Sequence, residues 1–203
     1  MTAVPRLFWH TIVMARSARG AVARISGQHG GVPKLVWDEV SPGLMGTLPD
    51  VWVTDTSVED WQMVLDLIEV HGWGSEYREG DVVMPLPRAE QVLSRPVDAE
   101  CPELRVWPAP DVLAIFRFLD DEAIDFDVDL RELQGQERLD ILCEFMTVIG
   151  RRLGKPVMMS PEGDWDRSDP VLGFDVEADR VVLLAQPWVD CPRRERRSGE
   201  WSG

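Results

Sequence analysis

The chain has 203 residues, 44% apolar and 28% charged, with nine Trp; that is material for one well-filled core, or for two small lobes sharing one, and it speaks against a disordered polypeptide. The net charge of −15 is unevenly spread: residues 38–192 hold 34 acids against 12 bases, a field that repels phosphate backbones and argues against direct nucleic-acid binding by that stretch. No apolar run reaches the ~18 residues that a membrane-spanning helix needs.

Residues 1–37 carry Arg6, Arg16, Arg19, Arg24 and Lys34 and no acid. "LFWHTIVMA" followed by "AVA" imitates a signal peptide, but His10 and Thr11 inside the short apolar run, and Arg16 and Arg19 after it, argue against export. An ordered strand, a loose arm and a start assigned upstream of Met45 are equally good readings of this segment. Cys101, Cys143 and Cys191 form no C-x-x-C pair, which points to a reducing, cytoplasmic setting without a disulfide framework. Two Lys against nineteen Arg suggest a GC-rich bacterial genome, a codon argument rather than a physical one.

Residues 38–97 read as a strand-helix-hairpin lobe. "DVWVT" is strand-like, Thr56-x-x-Glu59 or Ser57-x-x-Asp60 is a capping box, and Trp61, Val64, Leu65 and Ile68 recur at helical spacing until Gly72 closes a helix over about 57–71. His71 stands at its end, where a cation suits the helix dipole. "SEYREGDVVMPLP" predicts a hairpin turning at Glu79-Gly80, and "RAEQVL" one or two helical turns. "SRPVDAECPE" is the best boundary between lobes.

Residues 98–187 read as an acidic β-rich lobe with a long helix. "ELRVWPA", "VLAIFRFLD" and "AIDFDVDLREL" are strand-like; residues 136–153 form a helix with Leu139, Leu142, Met146, Ile149 and Leu153 on one face; "VMMSPEG", "VLGFDV" and "RVVLLA" are further short strands. Residues 188–203 form an Arg-rich tail. Short strands in antiparallel order with two main helices predict an α+β fold, antiparallel sheet packed on helices, rather than a doubly wound parallel one.

The most suggestive motif is "DEAIDFDVDLREL", with Asp125, Asp127 and Asp129 at alternate positions. On a strand these share one face while Ile124, Phe126, Val128 and Leu130 line the core. A calcium loop needs Gly at its sixth position and Glu at its twelfth; counted from Asp125 those are Leu130 and Gln136, and the motif fails. Carboxylates two apart on a strand lie ~7 Å from each other, too far for one small ion without a third element. A solvated or partner-facing strand is the favoured reading. "EGDWDRSD" at 162–169 gathers Glu162, Asp164, Asp166 and Asp169 around Trp165 without recognisable ligand spacing. Should that loop approach Asp125 and Asp127, a Mg²⁺ or Mn²⁺ site formed by Asp125, Asp127, Asp164, Asp166 and Asp169 becomes the alternative.

"GRRLGKP" at 150–156 has the wrong glycine spacing and no Ser or Thr after Lys155 for a phosphate loop; it reads as a helix end with basic residues complementing the dipole. The zinc, nucleophile-elbow and dinucleotide patterns are absent, and His10 and His29 fall in the doubtful first segment. Trp52, Trp61 and Trp107 fall in strand or helix patterns and read as core. Trp73 and Trp165, in loop-like contexts, read as exposed anchors.

The sequence therefore leads to a small acidic protein-binding module, leaning away from catalysis and requiring no cofactor. Its partner is expected to be a basic protein, met by Asp120, Asp121, Glu122, Asp125, Asp127 and Asp129 with Trp73 or Trp165 as an anchor. In size, charge and lack of catalytic motifs it is similar to bacterial immunity proteins, which inhibit basic toxins or nucleases by steering and blocking. The alternatives are a Mg²⁺- or Mn²⁺-dependent hydrolase or phosphoryl-transfer enzyme, and a structural or regulatory domain of a larger assembly.

Overall fold

The computed structural model describes residues 46–184 except 97 and 165. Segment 1–37, tail 188–203, Cys191 and the anchor Trp165 lie outside the described residues. The elements run β1 (Asp50–Thr54), α1 (Val58–His71), β2 (Gly74–Glu79), β3 (Val82–Met84), α2 (Ala89–Leu93), β4 (Glu103–Ala109), β5 (Val112–Arg117), β6 (Ala123–Val128), α3 (Gln136–Leu153), β7 (Val157–Ser160), β8 (Leu172–Asp175) and β9 (Arg180–Leu183). The nine strands form one antiparallel sheet in the order β3-β2-β4-β5-β6-β1-β7-β8-β9. The fold is α+β, as the patterning requires, and strands from both sides of the 94–102 loop share the sheet. No helix among the described residues is long and apolar enough to cross a membrane.

Local chemistry sets the helix ends. The Ser57 hydroxyl accepts the N–H of Asp60, capping α1, and Gly72 closes it in the left-handed conformation (φ 65°), where a side chain would be strained. The N–H of Gly72 donates to Glu69 and that of Trp73 to Ile68, satisfying carbonyls that the helix leaves open. Gly154 ends α3 in the same way.

Both long helices pack on one face of the sheet. Val51, Val53, Leu104, Val106, Ala114, Phe116, Ile124, Phe126, Val128, Val157 and Met159 supply the sheet side of the core, each at the alternate position its strand dictates. From α1, Trp61 is fully buried, edge-on to Phe116 and 4.6 Å from Phe118 between ring centres. From α3, Phe145 stands edge-on to Phe116 and Phe126. The face of α3 read from the sequence is buried as expected, with Phe145 added to it.

Among the described residues no helix lies on the other face, and the same alternation fixes its composition. Trp52 and Trp107 belong there, half-buried, and not in the core. The correction has a simple cause: Val51 and Val53 take the inward positions of β1, so Trp52 must point out beside Asp50 and Thr54.

Candidate functional site

Two cross-strand rows cross the open face. One runs Arg78, Glu103, Arg117, Asp125, Trp52 and Met158; the next runs Glu76, Arg105, Ile115, Asp127, Asp50 and Ser160. Opposite charges alternate along the first row, the arrangement that stabilises neighbouring strands. The second row breaks this rule once: Asp50 stands directly opposite Asp127. It is the one like-charge pair among the described cross-strand pairs.

Arginines hold two of these three acids. Arg117 donates to Asp127 through Nε at 3.1 Å and through Nη2. Arg167, from the 161–169 segment, donates to Asp125 and places its guanidinium 5.3 Å from the Trp52 ring centre, a cation–π contact. Burial pushes the Asp125 carboxyl above its ordinary range, and the Arg167 charge opposes that shift. Burial also pushes Asp50 up, to about 6, aided by a hydrogen bond shared with Asp127 and by the charges of Asp127 and Asp125. The Trp52 indole donates to Ser160 Oγ at 3.3 Å, and Ser160 is fully buried.

The 161–169 segment therefore does approach the acidic strand. What it brings to Asp125 is a guanidinium. Asp164 accepts the backbone N–H groups of Ser168 (3.3 Å) and Asp169 (3.1 Å). Burial raises its carboxyl, but these donors and the Ser160 hydroxyl outweigh burial and leave it below the ordinary value. Glu162 turns the other way and accepts the N–H of Thr47 (2.8 Å), which lowers its pKa. Among the described residues, no three His, Cys, Asp or Glu side chains are grouped so as to hold a metal ion. Mg²⁺, Mn²⁺ or Ca²⁺ at constant ionic strength is accordingly expected to leave the unfolding temperature of the wild type and of Asp127→Asn equally unchanged. A rise in the wild type that the substitution abolishes would reveal a folded-state metal site.

The remaining acids of the candidate surface lie beyond the two ends of β6. Asp120, Asp121 and Glu122 form the exposed tip of the β5–β6 hairpin. Thr56 ties this tip to the start of α1, its N–H donating to Glu122 O at 3.0 Å and its hydroxyl to Asp121 O at 2.8 Å. The Trp61 indole donates to Asp120 O at 3.1 Å. Asp120 Oδ1 caps the turn through the N–H groups of Glu122 and Ala123, and its charge raises Asp125 further. Asp129, just beyond β6, is clamped by Arg131, which lowers its pKa.

Trp73 is a wall, not a projection. It is half-buried, stacked on His71 at 4.6 Å and edge-on to Phe145 at 4.8 Å. With His71, Trp107, Pro108 and Pro110 it lines an open cleft of about 650 Å³.

Sequence reasoning missed Asp50, Trp52, Arg117 and Arg167 as members of the acidic face. The alternation in "DVWVT" was a signal for the first two; nothing local to Arg167 says which strand its loop meets. Compared with known proteins, the chain gives no match to a family model, to a curated protein or to a solved structure.

Proposed function

We propose that this chain is a non-catalytic protein-binding module that engages a basic protein through the hairpin tip Asp120–Glu122 and the adjoining acidic face, in the manner of an immunity-type inhibitor. One observation carries the reading. Among the described residues most cations are neutralised within the fold: Arg78, Arg95, Arg105, Arg117, Arg131, Arg138, Arg151, Lys155 and Arg167 are each tied to an acid, while Asp121 and Glu122 project, exposed, from the tip. Such a surface attracts a cationic partner from a distance and repels nucleic acid. The cleft at Trp73 and Trp107 offers a place for an aromatic or aliphatic side chain of the same partner, since buried aromatic contacts dominate interface energies.

The test is capture. Immobilised wild type is expected to retain a basic protein in fixed stoichiometry from a low-salt extract of the source cells, and the triple variant Asp120→Asn, Asp121→Asn, Glu122→Gln to lose it. Retention that is indifferent to the triple substitution and to salt would remove the electrostatic basis of the proposal.

A further inference from the structure

We infer that Asp50 and Asp127 share one proton across β1 and β6, so that the open face of the sheet changes its charge by one in response to pH. Antiparallel register sets the two carboxyl groups directly opposite each other on one face, and two ionised carboxylates in that position repel. Asp125 lies two residues from Asp127 on the same face, opposite Trp52. Three acids thus meet two guanidinium groups: Arg117 is committed to Asp127 and Arg167 to Asp125.

Asp125 and Asp127 come from β6 and Arg117 from β5; β7 offers the Ser160 hydroxyl opposite Asp50. The 161–169 segment offers Arg167, whose charge lowers Asp50, and Asp164, engaged with its own backbone. Glu162 is turned to Thr47 and Leu48, and Asp129 is held by Arg131. Burial of Asp50 and its contact with Asp127 then bring its titration up from the ordinary 3.8 to about 6. Below that pH the three acids and two arginines balance. Above it, Asp50 adds a negative charge that no described cation on this face is paired with.

The folded state holds the Asp50 proton more tightly than the unfolded state, so its contribution is fully present in acid, declines as pH rises from about 4 to about 6 and is absent above. The functional consequence rests on the docking reading above: a cationic partner meets a more negative face at pH 7 than at pH 5. The pair itself is a property of the protein alone, which allows a test that involves no partner.

That test is a carboxyl-carbon NMR titration of Asp50 in the full chain. The wild type is expected to titrate near pH 6, with Asp127→Asn moving the midpoint down and Arg167→Gln moving it up. The Asp127 carbon should sense the same step and lose it in Asp50→Asn, a second readout that does not depend on the Asp127 variant folding. An Asp50 midpoint in the ordinary Asp range, or one that Asp127→Asn leaves in place, would overturn the shared proton. Failure of the wild type to capture a basic protein, with this titration intact, would overturn the docking reading alone.

Discussion

Gly150→Ala is expected to destabilise the protein, although Ala is the better helix former. A Cβ built on Gly150 would lie 2.7 Å from Phe174 Cε1 and 2.8 Å from Cγ, with Cδ1 closer still. Phe174 is fully buried on β8 and cannot swing into solvent. Relieving the Gly would stabilise α3 by ~1 kcal/mol, whereas overpacking a filled core costs about 1–3 kcal/mol. We expect the second effect to win, and a Val at 150 to cost more than Ala. Urea unfolding measures it, and Phe174→Leu in the Gly150→Ala background should recover part of the loss by opening the space. A gain in stability on Gly150→Ala would mean that helix and sheet do not approach as closely as described.

Lys155→Met carries the other large effect. Asp60 is only 8% exposed, and Lys155 Nζ, donating to Asp60 Oδ2 at 2.8 Å and also to Asp55 O, is its one cationic partner among the described residues. Removing the ammonium leaves the carboxylate with the Ser57 hydroxyl as a donor at 3.2 Å. Breaking a buried ion pair from one side costs roughly 3–5 kcal/mol; Lys155 is itself about a quarter exposed, so a loss near the bottom of that range, about 3 kcal/mol, is expected. Adding Asp60→Asn should restore much of it, because a neutral amide tolerates the site. If Lys155→Met unfolds at the same urea concentration as wild type, the tie between the two long helices contributes nothing.

Much of the fold was legible because it depends on local rules. The period-two pattern marked β1, β4, β5 and β6, the Ser57 cap and Gly72 bracketed α1, and the apolar face of 136–153 marked α3. "GRRLGKP" behaves as the helix end that its spacing implied, with Gly154 in the left-handed conformation. Lys155, read as a partner of the helix dipole, instead reaches back to Asp60 across 95 residues of chain. That pairing has no local signature.

The acidic face was half legible for the same reason. Asp125 and Asp127 share a side by simple alternation, but which strand lies beside them is decided by sheet order. β1 enters between β6 and β7, and this places Asp50 and Trp52 against the two acids. Arg167 arrives from a loop whose own sequence advertises carboxylates. The guanidinium reaches Asp125 because Asp164 folds its segment into a backbone-bonded turn that leaves Arg167 facing the sheet.

Whether the acids act as a docking field for a basic protein shows in the association rate of the captured partner as salt is varied. Between ~0.01 M and ~0.1 M salt the Debye length falls from about 30 to about 10 Å, so steering by the tip and face should weaken visibly. For the wild type a rate that falls steeply with salt is expected, and for the Asp120→Asn, Asp121→Asn, Glu122→Gln variant a slower rate with a flatter dependence, dissociation being little changed. Identical rates and slopes for the two proteins would contradict it.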